Sequence, residues 1–347
     1  MVETMRAERF YAKDHSIHVE DVPIPHPKAG EVLIKIAYCG ICHSDLSLIN
    51  GTFPASLDVV TQGHEAAGTI VEVGSGVTGW KVGDRVIPSA GQPCGKCRKC
   101  RLGDYANCLD LQIMAFQYDG AWAEYHVTKA IGLIRIPDNV SMDQAAILAD
   151  AVSTPFGAVV RTGKVHMGNA VAVWGLGGVG THIVQLAKLA GAAPIIAIDV
   201  NDNVLERAKR LGADFTLRAD DDDLTGKIRD ITGGRMIDVA FDAVGIQSTT
   251  RAALDSLDMY GKAVVVGLSG QDINGGPIHQ FSRGRKQLLG HLGYKTQDIG
   301  ILAELLSYGR LDLSESISSV VSLEDVKDGI RALENHEGDP IRILVKP

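Results

Sequence analysis

Nowhere in the 347-residue chain is there an apolar run of the roughly twenty residues that a membrane-spanning helix needs, so no membrane segment is expected. The first residues lack a basic segment followed by an apolar core, and no secretory leader is expected. Basic residues are in short supply. With 34 Lys and Arg against 42 Asp and Glu, the net charge is −8, which argues against a nucleic-acid partner. Cysteines number only six. Five of them fall at ligand-like spacings, a pattern of metal binding in a reducing compartment rather than of disulfides, and a cytoplasmic protein is expected. The bias that marks disorder is missing too, since apolar residues make up 45% and charged residues 22%. The length suffices for two domains with separate cores.

The first ninety residues carry short apolar runs such as 32–36 and 68–73, bounded by Gly and Pro, which predicts a β-rich domain. A loop rich in Cys, Lys and Gly follows, from Cys94 to Cys108. From about residue 152, short apolar runs at 171–174, 194–199, 239–242 and 263–267 alternate with helical stretches, the mark of a parallel doubly wound sheet. Helices are expected near 301–306 and 323–333, then a last strand over 341–345, in a tail that returns to the first domain. The expected fold is therefore α/β in two domains. One comprises 1–152 and 291–347 with a lobe at 94–108; the other is 153–290.

Cys94, Cys97, Cys100 and Cys108 are spaced C-x2-C-x2-C-x7-C. Four thiolates close a tetrahedron around Zn²⁺ and leave no position for water, so a structural ion is expected that ties down a loop without a core of its own. Iron–sulfur proteins share the first spacings, but their fourth Cys usually follows more closely and precedes Pro; here Leu109 follows Cys108. Cys42 and His64 read as ligands of a second metal, assembled from separate loops. A catalytic zinc takes three protein ligands and keeps one position open. Two carboxylates are candidates for the third: Glu65, next to His64, and Asp150, set in the apolar stretch 148–152, where an unpaired carboxylate is costly. Taken singly, Cys42 reads as well as a small buried hydrophobe and His64 as a core histidine; beside the thiolate lobe the metal is favoured. Cys39 reads as a buried structural thiol.

The run Gly175-Leu176-Gly177-Gly178-Val179-Gly180 follows an apolar strand and opens a helix, the context that a G-x-G-x-x-G fingerprint requires. Gly175 permits the tight turn, Gly177 lets backbone N–H groups approach a pyrophosphate, and Gly180 lets the helix pack on the strand. The helix N-terminus favours phosphate. Asp199 ends the next strand, 19 residues after Gly180. A carboxylate there accepts hydrogen bonds from ribose hydroxyls and repels a 2′-phosphate, so NAD is expected over NADP.

With the stretch from Gly40 to Asp45, the stretch Gly63-His64-Glu65-Ala66-Ala67-Gly68, the cysteine lobe and the glycine loop together, the chain resembles the zinc-containing medium-chain alcohol dehydrogenases over essentially its whole length. The resemblance implies a GroES-like β-rich catalytic domain interrupted by a Rossmann domain. It implies two zinc ions per chain, NAD, a homotetramer or dimer, and reversible oxidation of alcohols to ketones or aldehydes. By the same resemblance, Cys42, His64 and Asp150 hold the catalytic zinc, and Glu65 is the carboxylate that approaches the metal during ligand exchange. Asp45 orients His64, and Ser44 takes the substrate proton. His43 and Arg342 contact the pyrophosphate that the glycine loop, Gly178 included, cradles; Val179, Val266 and Leu268 wall the nicotinamide.

Two positions depart from the family pattern. Many members have a His three residues after the relay hydroxyl, where this chain has Ser47, so the outer relay is expected to run through the ribose and water or to differ. Yeast-type primary-alcohol enzymes have an aromatic five residues before the first lobe Cys, where this chain has Ser89. A small side chain there is expected to admit secondary or bulky primary alcohols, with Phe53 and Phe116 as apolar walls. A polyol or sugar dehydrogenase is the alternative within the superfamily, although it calls for a more polar pocket. A nucleotide-binding sensor without turnover is the alternative outside enzymes, and the intact ligand set with Ser44 argues against it.

Overall fold

Glu31–Ile41 forms the longest strand of the computed structural model, which describes residues 3–347. Its β-branched side chains Val32, Ile34 and Ile36 enter a hydrophobic core. The strand pairs antiparallel with Ala66–Val73, with Tyr125–Lys129 and with the C-terminal strand Arg342–Lys346. Its register against Ala66–Val73 shifts at Leu33/Ile34 and again at Ile36/Tyr38; such bulges bend a strand and raise its twist. Arg85–Pro88, Leu133–Arg135 and Ile317–Ser322 complete this seven-stranded sheet. A second sheet has three strands in the order Ser16–Pro23, Thr4–Tyr11, Val59–Val60. The late helix Val326–Glu334 puts Val326, Ile330 and Leu333 into the same core as the early strands. Residues up to Ser153 and Tyr294–Pro347 accordingly form one unit, and Thr154–Gly293 a second.

The second unit holds a six-stranded sheet in which every pair is parallel. Its order is Phe215–Arg218, Ile195–Asp199, Val171–Trp174, Ile237–Asp242, Leu257–Val265, Gln287–Gly290. In chain order this is 3-2-1-4-5-6, the Rossmann arrangement, and the order reverses between Val171–Trp174 and Ile237–Asp242. Ligands of such sheets bind beyond the carboxyl ends of the strands at that reversal. Val171–Trp174 is buried throughout, as a central parallel strand covered on both faces must be. Among the described residues no helix is long and apolar enough to cross a membrane.

Candidate functional site

The bulged strand Glu31–Ile41 stops at the point where the metal chemistry begins. Cys42 is the N-cap of the helix His43–Ile49 and keeps extended backbone angles. Asp45, one turn into that helix, accepts the Cys42 backbone N–H at 2.9 Å through Oδ2. Its other oxygen, Oδ1, lies 3.3 Å from His64 Nδ1. One fully buried carboxylate therefore fixes both segments that bear candidate ligands. His64 follows Gly63, whose φ is +88° and whose Cα faces Trp122; a Cβ there would fall 2.4 Å from the indole. Trp122 Nε1 donates to the Gly40 carbonyl at 3.1 Å, tying the same two segments together from another side.

Asp150 comes from a different part of the first unit. The helix Met142–Ile147 widens into a π-helical turn, Leu148–Val152, a feature frequent at functional sites. Its neighbours Leu148, Ala149, Ala151 and Val152 are buried. The Asp150 carboxylate Oδ2 lies 3.4 Å from His64 Nε2 and 3.6 Å from Cys42 Sγ. Ligand atoms of Cys42, His64, Glu65 and Asp150 all fall within 4.8 Å of one another. Glu65, fully buried, faces Arg342, with Oε1 3.2 Å from Nη2. Burial pushes the Glu65 carboxyl up to about 7, against the pull of Arg342.

These spacings fit zinc. A tetrahedron with zinc–nitrogen or zinc–oxygen bonds of ~2.05 Å has edges of about 3.3 Å, and one with zinc–sulfur bonds of ~2.3 Å has edges of about 3.8 Å. The electrostatics agree. Burial pulls the His64 imidazole toward neutrality, yet Asp45, Asp150 and Cys42 more than reverse that and leave its affinity for a proton well above the usual. The site calls for positive charge.

The second cluster is the lobe. Cys97 Sγ lies 3.5 Å from Cys100 Sγ and 3.9 Å from Cys108 Sγ, and Cys94 Sγ lies 3.9 Å from Cys100 Sγ. Those are zinc–thiolate tetrahedron edges. Backbone N–H groups of Cys94, Cys97, Cys100 and Asp110 donate to the sulfurs, which favours thiolates.

In the second unit, the strand Val171–Trp174 turns at Gly175 into the helix Gly178–Leu189. A Cβ on Gly180 would fall 1.7 Å from the Gly175 carbonyl oxygen, so only glycine allows this approach. Asp199 closes its strand beside the loop, its Oδ2 accepting the Leu176 N–H at 2.7 Å and its Oδ1 the Asn201 N–H at 3.0 Å. Val266 and Leu268 follow the strand Leu257–Val265 at the same carboxyl edge; Val266 is buried and Leu268 exposed.

The remaining candidates divide. Ser44 Oγ lies 3.8 Å from Cys42 Sγ, at the mouth of the metal site. The Phe116 ring centre lies 6.0 Å from that of His64. His43 is exposed, with the His336 ring 6.2 Å away. Phe53 is half-buried in the loop after the helix, its N–H donating to the Ser47 carbonyl at 2.8 Å. The Ser47 hydroxyl donates to the His43 carbonyl of its own helix at 3.0 Å. Arg342, which the family pattern assigns to the pyrophosphate, is 2% exposed, and its guanidinium is held by Glu65 and the Ile41 carbonyl. A buried guanidinium needs such partners. Tyr294 escaped the sequence reading. Tyr294 accepts the Ala90 N–H at 2.9 Å and stands next to buried Ser89. An aromatic thus occupies the neighbourhood where Ser89 was expected to leave space. Its only sequence signal is an isolated Tyr after Gly293.

Residues 28–138 match the family model for the alcohol dehydrogenase GroES-like domain, and residues 178–307 the model for zinc-binding dehydrogenases. An S-(hydroxymethyl)glutathione dehydrogenase from Escherichia coli O6:H1 is 33% identical across 98% of this chain and 99% of its own. Among solved structures, 2R,3R-butanediol dehydrogenase from Bacillus subtilis is 28% identical with a TM-score of 0.88, covering 99% of both chains. An E. coli alcohol dehydrogenase complexed with NADH is 25% identical with a TM-score of 0.90, also covering 99% of both. The chain belongs to the zinc-containing medium-chain alcohol dehydrogenase family. It is an oxidoreductase of the NAD(P)-dependent zinc class, with a GroES-like and a Rossmann-like domain.

Proposed function

We propose that the chain is an NAD-dependent dehydrogenase that interconverts secondary or bulky primary alcohols with ketones or aldehydes. The observation that carries this is the meeting of Cys42, His64 and Asp150 within 4.8 Å, with the Ser44 hydroxyl beside them. Cys42, His64 and Asp150 would hold the catalytic zinc, and Cys94, Cys97, Cys100 and Cys108 the structural one. Bound in the first set, zinc acts as a Lewis acid that makes an alcohol hydroxyl easier to deprotonate. The chain's own residues do the rest. Ser44 Oγ accepts the hydroxyl proton. With the Ser47 hydroxyl bonded inside its helix, water or a cofactor hydroxyl carries that proton outward. Asp45 Oδ1, 3.3 Å from His64 Nδ1, would orient the imidazole so that Nε2 is free to bind zinc. Glu65, neutralised in part by Arg342, is the carboxylate in reserve for ligand exchange.

On the cofactor side, N–H groups from Gly177 to Gly180 would hold the pyrophosphate. Asp199 accepts the ribose hydroxyls and disfavours a 2′-phosphate. Val179, Val266 and Leu268 would wall the nicotinamide, and NAD would supply the acceptor for the hydride of the alcohol. Phe116, Ser89 and Tyr294 shape the pocket. The B. subtilis relative is named for a diol with secondary carbinols, so polyols belong in the substrate panel. NADH formation with primary, secondary and polyol substrates is the test. Higher kcat/KM for secondary or bulky primary alcohols is expected. Turnover confined to polyols would give the site to the sugar-alcohol class, and no turnover on any alcohol would remove the enzyme assignment from these residues.

A further inference from the structure

Glu8 sits fully buried in the strand Thr4–Tyr11, between Ala7 and Arg9. That strand pairs with Val59–Val60, Phe10 opposite Val60. The same register carried two residues further sets Glu8 opposite Gln62. There a side chain takes over from the ladder: Glu8 Oε2 accepts the Gln62 backbone N–H at 2.8 Å. Gln62 is fully buried as well. Its carbonyl accepts the Trp122 N–H at 2.9 Å, and its side-chain Nε2 donates to the Asp45 carbonyl at 3.1 Å. Asp45 holds Cys42 N–H and faces His64. The contacts therefore run from Glu8 through Gln62 to the backbone of Asp45, whose carboxylate faces a candidate ligand histidine.

Among the described residues, two buried oxygens on this path have no hydrogen-bond partner, Glu8 Oε1 and Gln62 Oε1. A buried ionised carboxylate with so few donors is costly. Burial pushes the Glu8 carboxyl well above the usual carboxylate range, against the Gln62 N–H that pulls it down; Asp45 and Asp119 push the same way as burial, and Arg9 opposes them. In its protonated form Glu8 keeps an acceptor for the Gln62 N–H and carries no buried charge.

We infer that Glu8 and Gln62 are positioning residues for the metal centre: Glu8 clamps Gln62, and Gln62 clamps the Asp45 segment that orients His64. The inference rests on the assignment of Cys42, His64 and Asp150 as zinc ligands. Groups behind the ligands govern metal affinity by roughly 10–100-fold, and such a path acts as one unit rather than as independent contacts.

Zinc release from the purified holoenzyme to a chromogenic chelator tests it, with the lobe zinc as internal reference. The wild type is expected to release two zinc populations and Cys42→Ser to lack one of them. Glu8→Leu and Gln62→Met should each release that one population ~10-fold faster or more, with the lobe population unchanged. The double variant should release it no faster than the quicker single variant. Glu8→Gln should stay near the wild type, because a glutamine of the same shape keeps the acceptor for Gln62 N–H. If Glu8→Leu does not fold, Gln62→Met carries the test, since it leaves the backbone bonds in place. Unchanged release in Gln62→Met, multiplying effects in the double variant, or Glu8→Gln behaving like Glu8→Leu would each overturn the inference while the ligand assignment stands. A single zinc population in the wild type would overturn both.

Discussion

Ser44 carries more of the proposed chemistry than any other single side chain of the first unit. A positioned proton acceptor contributes roughly 10²–10⁴-fold in rate, and Ser44→Ala should lower kcat by that factor with little change in zinc content. Near-wild-type turnover in steady-state kinetics would remove Ser44 from the reaction. Asp199 plays the matching part for the cofactor. Its carboxylate is already aimed by the Leu176 and Asn201 amides, so Asp199→Ala should raise the KM for NAD and bring the NADP and NAD efficiencies together; an unchanged preference would count against it. Both residues were legible in the sequence because each lies inside a short local pattern. Glu8, Gln62 and Tyr294 were not. Their partners lie 54 residues away for Glu8 and 204 for Tyr294, and a register between distant strands leaves no local signature.

At the scale of elements, the turn from Gly175 to Gly180 and the cysteine lobe are each built around one constraint. The first is a contact between backbones. Gly180→Ala forces a Cβ into the Gly175 carbonyl, so the helix must shift off the strand, and NAD affinity should fall at least ~10-fold by fluorescence titration. Unaltered affinity would mean that the helix N-terminus does not hold the cofactor. The lobe has little structure beyond the short helix Arg98–Arg101 and one 3-10 turn, Tyr105–Asn107. The sulfurs stand in for a core, as in other small metal-held segments. A strong chelator should therefore expose residues 94–110 to protease before the rest of the chain is cut. Cleavage elsewhere first would place the stabilising role outside the lobe. The repeated strand–helix alternation predicted the Rossmann sheet correctly, since its inner strands, such as Val171–Trp174, are buried apolar runs, whereas the edge strands Phe215–Arg218 and Gln287–Gly290 are partly exposed and left no such signal. The π-helical turn at Asp150 was not readable, because Leu148–Val152 carries no break in its helical pattern.

At the scale of the molecule, stability should depend on a buried histidine that the proposed chemistry does not use. His126 is buried, shares Nδ1–H with the Gly120 carbonyl at 3.1 Å and stacks on Tyr118. Burial pulls its pKa down from 6.5 to about 4. Between those values the unfolded chain binds more protons than the folded one. The stabilisation is therefore complete above about pH 6.5 and is lost as pH falls toward 4. A shift of that size corresponds to about 3 kcal/mol. In His126→Phe the loss of unfolding free energy between pH 7 and pH 4, measured by urea titration, should shrink by up to that amount; an equal loss in both proteins would contradict it.

The central claim is that one chain holds two zinc ions in two different chemistries. Zinc per chain, measured in the wild type and in a Cys42→Ser, His64→Ala variant, tests it most directly. Two ions in the wild type and one in the variant are expected, with NADH formation lost and NAD binding retained. Two ions in both proteins, or a single ion in the wild type held by the cysteine lobe, would mean that Cys42, His64 and Asp150 do not form a metal site.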